Sequence, residues 1–269
     1  MTLEKAKKVL VEVGIDAIEN KIMKYGKEKN CLTVGGGRVK VNLYEEMIED
    51  IWTEMALVTY VEQLIAKTPD FNIDKLTSKE YVMDHVVSCV RHETMDESIV
   101  KFSVMGDLEE YLRVVVNEVE GSEGFMSIVV TKDFAKNLKL DVDELRAAGR
   151  KNLEKKVSIR SMSAVMSELI DMSEGLEDLM PADDVMYVGS TNDKQYGAAV
   201  MLLDDVLERF CKARGILKLC IIPSSVHECL LIVQEMEEES VNGIIQEVNE
   251  TQVVEEERLS SHCYYYFAK

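Results

Sequence analysis

Apolar positions along residues 2–25 fall at Leu3, Ala6, Leu10, Val13, Ala17 and Ile22, near the helical period, and Gly26 is placed to end the run. The pattern predicts one amphipathic helix. Two β-favouring runs, CLTV and RVKVNL, then flank Gly35, Gly36 and Gly37, and this predicts a hairpin. In 44–66 one stripe holds Met47, Ile51, Met55, Val58, Val61 and Ile65, with Ile48 and Trp52 beside it. A single long core helix is expected, stopped by Pro69. Thr77 or Ser78 can cap a further helix running to about His92.

The pattern changes near residue 98. IVKFSVMG has strand character, and YLRVVVNEV, EGSEG and FMSIVV predict a hairpin. Thr131 and Asp141 are caps for two helices, and SMSAVMSELIDM predicts another. VMYVGS and AAVMLL predict a hairpin closed by TNDKQYG, and Asp204 opens a helix that Gly215 ends. ILKLCII and ECLLIV are apolar on both faces, so they are expected in the middle of a sheet. A helix over 237–248 and a strand at HCYYYF follow. Residues 111–140 and 186–214 share the order strand, turn, strand, helix, which raises a duplicated unit against simple coincidence. The expected class is α+β: a helical N-terminal part with a small hairpin, then a C-terminal part of largely antiparallel sheet with helices packed on it. The expected regions are 1–97, 98–171 and 185–269, with the acidic stretch 172–184 as linker or loop.

Composition narrows the function. The chain has 269 residues, 31 Lys and Arg against 50 Asp and Glu, and a formal net charge of −19. That charge repels nucleic acid, so direct binding of DNA or RNA is not expected. The most basic stretch, 146–160, predicts a helix with a solvated basic face. Acid is clustered more strongly, in 44–66, 168–184 and 235–258. No apolar run reaches the roughly 20 residues of a membrane span, and charges interrupt the N-terminus, so a cytoplasmic protein with no membrane association is expected. The six cysteines form no CxxC pair and are expected as reduced thiols.

Candidate chemistry is sparse, and no cofactor is implied. Gly35 to Gly37 lack the Gly-Lys-Ser/Thr of a phosphate loop. His85, Cys89 and His92 share a face if their segment is helical, a spacing that suits zinc, yet a fourth ligand must come from elsewhere, so no metal is expected. Pro223 to Glu228 gather Ser225, His227 and Glu228 in one turn. A hydrolase site there needs Ser bonded to His and His oriented by an acid, with His262 as a second imidazole. The plainer reading is a turn whose serines bond the backbone. The leading expectation is a non-enzymatic binding module for a basic protein partner, with Glu237, Glu238 and Glu239 at its surface, and imitation of nucleic acid to inhibit that partner is one version.

The last 85 or so residues carry a resemblance. Thr191-Asn192, Gly197-Ala198-Ala199, Pro223 to Glu228, Val248-Asn249 with Thr251, and Tyr264 to Tyr266 resemble the bacterial family catalogued as domain of unknown function 5688, frequent in gut Clostridia. Upstream, RVKVNLYEEM, LEEYL and TKDFAKNLKLDVDEL fall in the expected order. Asp204-Asp205 stand where the family has Pro-Gly, and Ser261 and Phe267 stand where it has acids. The resemblance implies a fold and a bacterial cytoplasm and assigns no reaction.

Overall fold

The computed structural model describes residues 1–24, 27–36, 39–51, 53–67, 73–118, 125–169 and 185–269. Gly26, Gly37, Arg38, Trp52, Pro69, the EGSEG turn and 172–184 lie outside the described residues. The chain forms two units, Met1–Ile73 and Asp74–Lys269.

In the first unit, Thr2 caps α1, Leu3–Glu12, by accepting from the Lys5 N–H. The predicted helix stops there. Gly14 takes φ +84, and the chain continues as β1, Ala17–Lys24. Ala17 and Ile22 fit the helical period by number, but a left-handed glycine breaks the helix before they join it. β1 pairs with β2, Lys27–Gly36, which pairs with β3, Val39–Tyr44, all antiparallel. The hairpin around the glycines is therefore present, with Gly36 opposite Val39. The single helix expected over 44–66 is two, α2, Glu45–Glu49, and α3, Glu54–Lys67. The break rotates the stripe. Ile48, Leu57 and Val61 are buried against Leu10, Leu32 and Leu43, while Met55 is 80% exposed.

In the second unit, Ser78 caps α4, Lys79–His85, and the helix ends there. Val86, Val87 and Val90 favour extended backbone, and β4, Val86–His92, replaces the expected last turns. β5, Lys101–Met105, and β7, Phe125–Val129, share one edge of the long β6, Leu108–Glu118, and β4 takes the other. Thr131 caps α5, Lys132–Asn137, and Asp141 caps α6, Val142–Glu154, as expected. β8, Val157–Ser161, was not anticipated, and α7, Met162–Leu169, follows it.

The remaining chain builds an antiparallel sheet ordered β12-β10-β11-β9-β8. Its new strands are β9, Met186–Thr191; β10, Lys218–Ser225; β11, Glu228–Ile232; and the edge strand β12, Tyr264–Phe267. Both apolar strands are interior, as their composition requires. AAVMLL is not a strand. Gly197–Leu202 forms a fully buried 3-10 turn that fills the core between β4, α6 and the five-stranded sheet. The second half of the proposed internal repeat thus lacks its hairpin. α8, Asp204–Arg214, ends at Gly215 with φ +67. α9, Glu238–Thr251, packs Val241 and Ile245 on Cys220 and Ile232 of the outer sheet face.

Candidate functional site

The turn Val226-His227 between β10 and β11 is held from three sides. The His227 carbonyl accepts from Ser190 Oγ at 2.7 Å and from the Gly197 N–H at 3.0 Å. The Val226 N–H donates to the Glu257 carbonyl, and Ser225 Oγ accepts from the His227 N–H at 3.1 Å. Gly197 has no room for a side chain: a Cβ would sit 2.3 Å from the Thr191 N. Thr191 closes its own turn by bonding both the N–H and the carbonyl of Gln195. The residues that carried the resemblance here are one interlocked piece of backbone.

The imidazole of His227 is engaged at both nitrogens. Tyr196, in the left-handed conformation at φ 53, donates its N–H to Nδ1 at 3.3 Å. That places the ring proton on Nε2, which lies 3.4 Å from Glu257 Oε1. Ser225 meets the backbone and not the ring, so the Ser-His pair of a hydrolase is not formed. Glu228, one residue on, turns to the outer sheet face, as alternation demands. His262 is exposed before β12, and among the described residues no bond joins it to His227. The acid beside His227 is Glu257, which sequence order gave no means of selecting.

The three soft ligands do not converge. His85 ends α4, bonds the Tyr81 carbonyl through Nδ1 at 2.8 Å and stacks on that ring. Cys89 is buried in β4, where desolvation pushes its thiol up to about 12. His92 points to the opposite face of the strand, 3.4 Å from Asp107. Among the described residues no three His, Cys, Asp or Glu side chains come together as metal ligands. All six cysteines are free and buried.

An open pocket of about 390 Å³ lies on the outer face of the five-stranded sheet, beside α7. Its floor is a row across three strands: Ser158 on β8 opposite Ser190 on β9, and Ser190 opposite Glu228 on β11. Val165 and Val188 supply apolar wall. Arg160 is neutralised at one side by a two-pronged pair with Glu168, at 2.8 and 2.6 Å, and Lys194 is exposed at another. The Ser190 hydroxyl proton is committed to the His227 carbonyl. Ser190 therefore offers the pocket lone pairs only. The Glu228 carboxylate, half-buried, has no ion pair or hydrogen bond among the described residues. The same face continues through Leu230 and Ile232 into an apolar pocket of about 170 Å³ beneath α9.

Charged residues of the sheet β4-β6-β5 escaped the sequence reading. Glu110 is fully buried on β6 and meets Arg146 Nε at 2.8 Å and Arg150 Nη2 at 2.6 Å. The basic stretch 146–160 is thus turned partly inward, not wholly solvated. Burial alone would raise the Glu110 carboxyl, but the arginine bonds outweigh it and hold it below the usual range. Glu109, on the other face, meets Arg91 at 2.7 Å and Lys101 at 3.4 Å. Asp107 accepts from Tyr264 at 2.5 Å and Ser260 at 3.1 Å, tying the β5–β6 turn to the last strand. The available signal was an adjacent acid pair inside a strand-like run, LEEYLRVVV, with arginines four apart downstream.

The sequence model of a family described as a family of unknown function, DUF5688, matches residues 40–267. No curated protein and no solved structure matches the chain. No helix among the described residues is long and apolar enough to cross a membrane.

Proposed function

We propose, on the premise that the chain belongs to this family of unknown function, DUF5688, that it is a non-enzymatic binding protein of the bacterial cytoplasm. In this reading the acidic surface around α9 holds a basic protein partner. One version of it is inhibition by imitation of nucleic acid. The observation that carries it is the make-up of 235–256. Eight glutamates are exposed there, Glu237, Glu238 and Glu239 at the start of α9 among them, and Arg258 is the next basic residue. Ile244 and Val254, 54% and 56% exposed, lie within the same stretch and supply apolar contact. Charge of one sign steers an oppositely charged partner, while apolar contact holds it once docked. The hydrolase alternative around His227 has less support, because both ring nitrogens are engaged and Ser225 bonds the backbone.

The test combines capture from a bacterial lysate with binding kinetics of the recovered partner. Glu237, Glu238 and Glu239 are changed to Gln, not Lys, since cations at a helix N-terminus oppose its dipole. Salt screens exposed charge over about 8 Å at physiological strength, so association should slow as salt rises and slow again in the triple variant. A partner that stays bound in high salt and ignores the triple change refutes the reading.

A further inference from the structure

The pocket beside α7 is separate from the acidic surface around α9 and does not depend on it. Two of the three residues in its floor offer acceptors only, the Glu228 carboxylate and the lone pairs of Ser190, and the Ser158 hydroxyl beside them can donate or accept. The nearby guanidinium, Arg160, is already paired with Glu168. Glu228 is thus a partly desolvated carboxylate facing an open cavity and, among the described residues, in no ion pair, with Lys194 exposed at the rim. Such a group loses part of its hydration on folding, and a donor-bearing positive charge offers it the strongest hydrogen bonds in return. With Glu168 held by Arg160, one unpaired carboxylate beside hydroxyls is too few charged ligands for a divalent metal, which gathers several oxygens. A planar or tetrahedral organic cation fits better, because it brings several N–H donors to several acceptors at once. Val165 and Val188 suit the alkyl stem behind such a head. The volume, about 390 Å³, is in the range of small-molecule sites.

We infer that this pocket binds an alkylguanidinium or alkylammonium group, with Glu228 as its counter-ion. The group can belong to a free amine or to an arginine or lysine side chain. The full-length protein is titrated with butylguanidinium, butylammonium and the neutral isostere butylurea, followed by calorimetry and by chemical shifts of the Val165 and Val188 methyls. Free agmatine and a blocked arginine amide form the two source arms: tighter binding of agmatine marks a small amine, tighter binding of the amide a side chain. Either cation should bind saturably, with butylurea at least tenfold weaker, and Glu228→Gln should lose at least tenfold. Lys194→Ala should not weaken binding, since it removes a like charge at the rim. Val165→Trp blocks the pocket from its wall and should abolish binding, which tests the site even if the Glu228 variant misfolds. No saturable binding of any cation at millimolar concentration overturns the inference. So does equal binding of butylurea, or binding that survives Val165→Trp.

Discussion

Glu110 and Glu228 stand on two antiparallel sheets of the same unit, and the fold treats them oppositely. Glu110 is fully buried and met by two arginines from α6. Glu228 is half-buried and makes no ion pair among the described residues. A buried carboxylate has to be paired or it destabilises the fold. The chain obeys this where the carboxylate faces a helix and leaves it unmet where the carboxylate faces a cavity. The difference separates an acid that builds the structure from one available to something else.

The largest expected effect is at Glu110. Glu110→Gln leaves two arginines near a neutral amide in a buried setting, and should cost about 3–5 kcal/mol in denaturant unfolding near neutral pH. The pH dependence has a definite sign. The folded-state carboxyl is held below its usual range, so its stabilisation is fully present above the ordinary carboxylate range, roughly 4.3. It is lost as pH falls through the lower folded value. The gap between wild type and variant should therefore close in acid. A gap that is the same at neutral and acid pH would assign the cost to packing, and the charge half of the comparison would fail.

Next are the interior strands of the other sheet. Leu219 and Leu231 are fully buried, on β10 and β11. Either change to Ala should cost about 2–5 kcal/mol. Leu217, just outside β10 and 79% exposed, is the control and should move stability by less than about 0.5 kcal/mol. Wild-type melting of both core variants would show that this sheet does not carry the stability assigned to it.

These two sets of residues also show what was legible in the chain. ILKLCII and ECLLIV announced interior strands because residues apolar on both faces have no other place in a sheet. The caps Thr131 and Asp141 were legible, and Ser78 as one of two candidates with Thr77, because such side chains act on backbone within three residues. The errors came where a local pattern was decided by something distant. AAVMLL has strand composition, yet it is swallowed by the core as a 3-10 turn, because Gly197 must lie against the Thr191 backbone. The helical spacing of His85, Cys89 and His92 failed once valines took over after His85. At the site, the turn of Pro223 to Glu228 was visible as a turn, but its partners were not. Glu257 reaches His227 from 30 positions later, and Ser158 joins the Glu228 row through a strand that was not anticipated. Pairing across strands depends on register, and register is set by the whole sheet.

The smallest stability effect is expected at Glu228, and it decides whether the comparison holds. Glu228→Gln keeps the shape and removes the charge. No ion pair among the described residues is broken, and a half-buried charge is relieved of its desolvation. Stability should then change by no more than about 0.5 kcal/mol, in either direction, in the same denaturant experiment applied to Glu110→Gln. The two variants are the same chemical substitution, each on an antiparallel strand, so the ratio of their costs reads the difference in pairing and burial between the two sites. A loss of about 2 kcal/mol or more would mean that the fold itself uses the Glu228 charge. The pocket floor would then be part of the structural framework, and the carboxylate would no longer be available to a ligand cation.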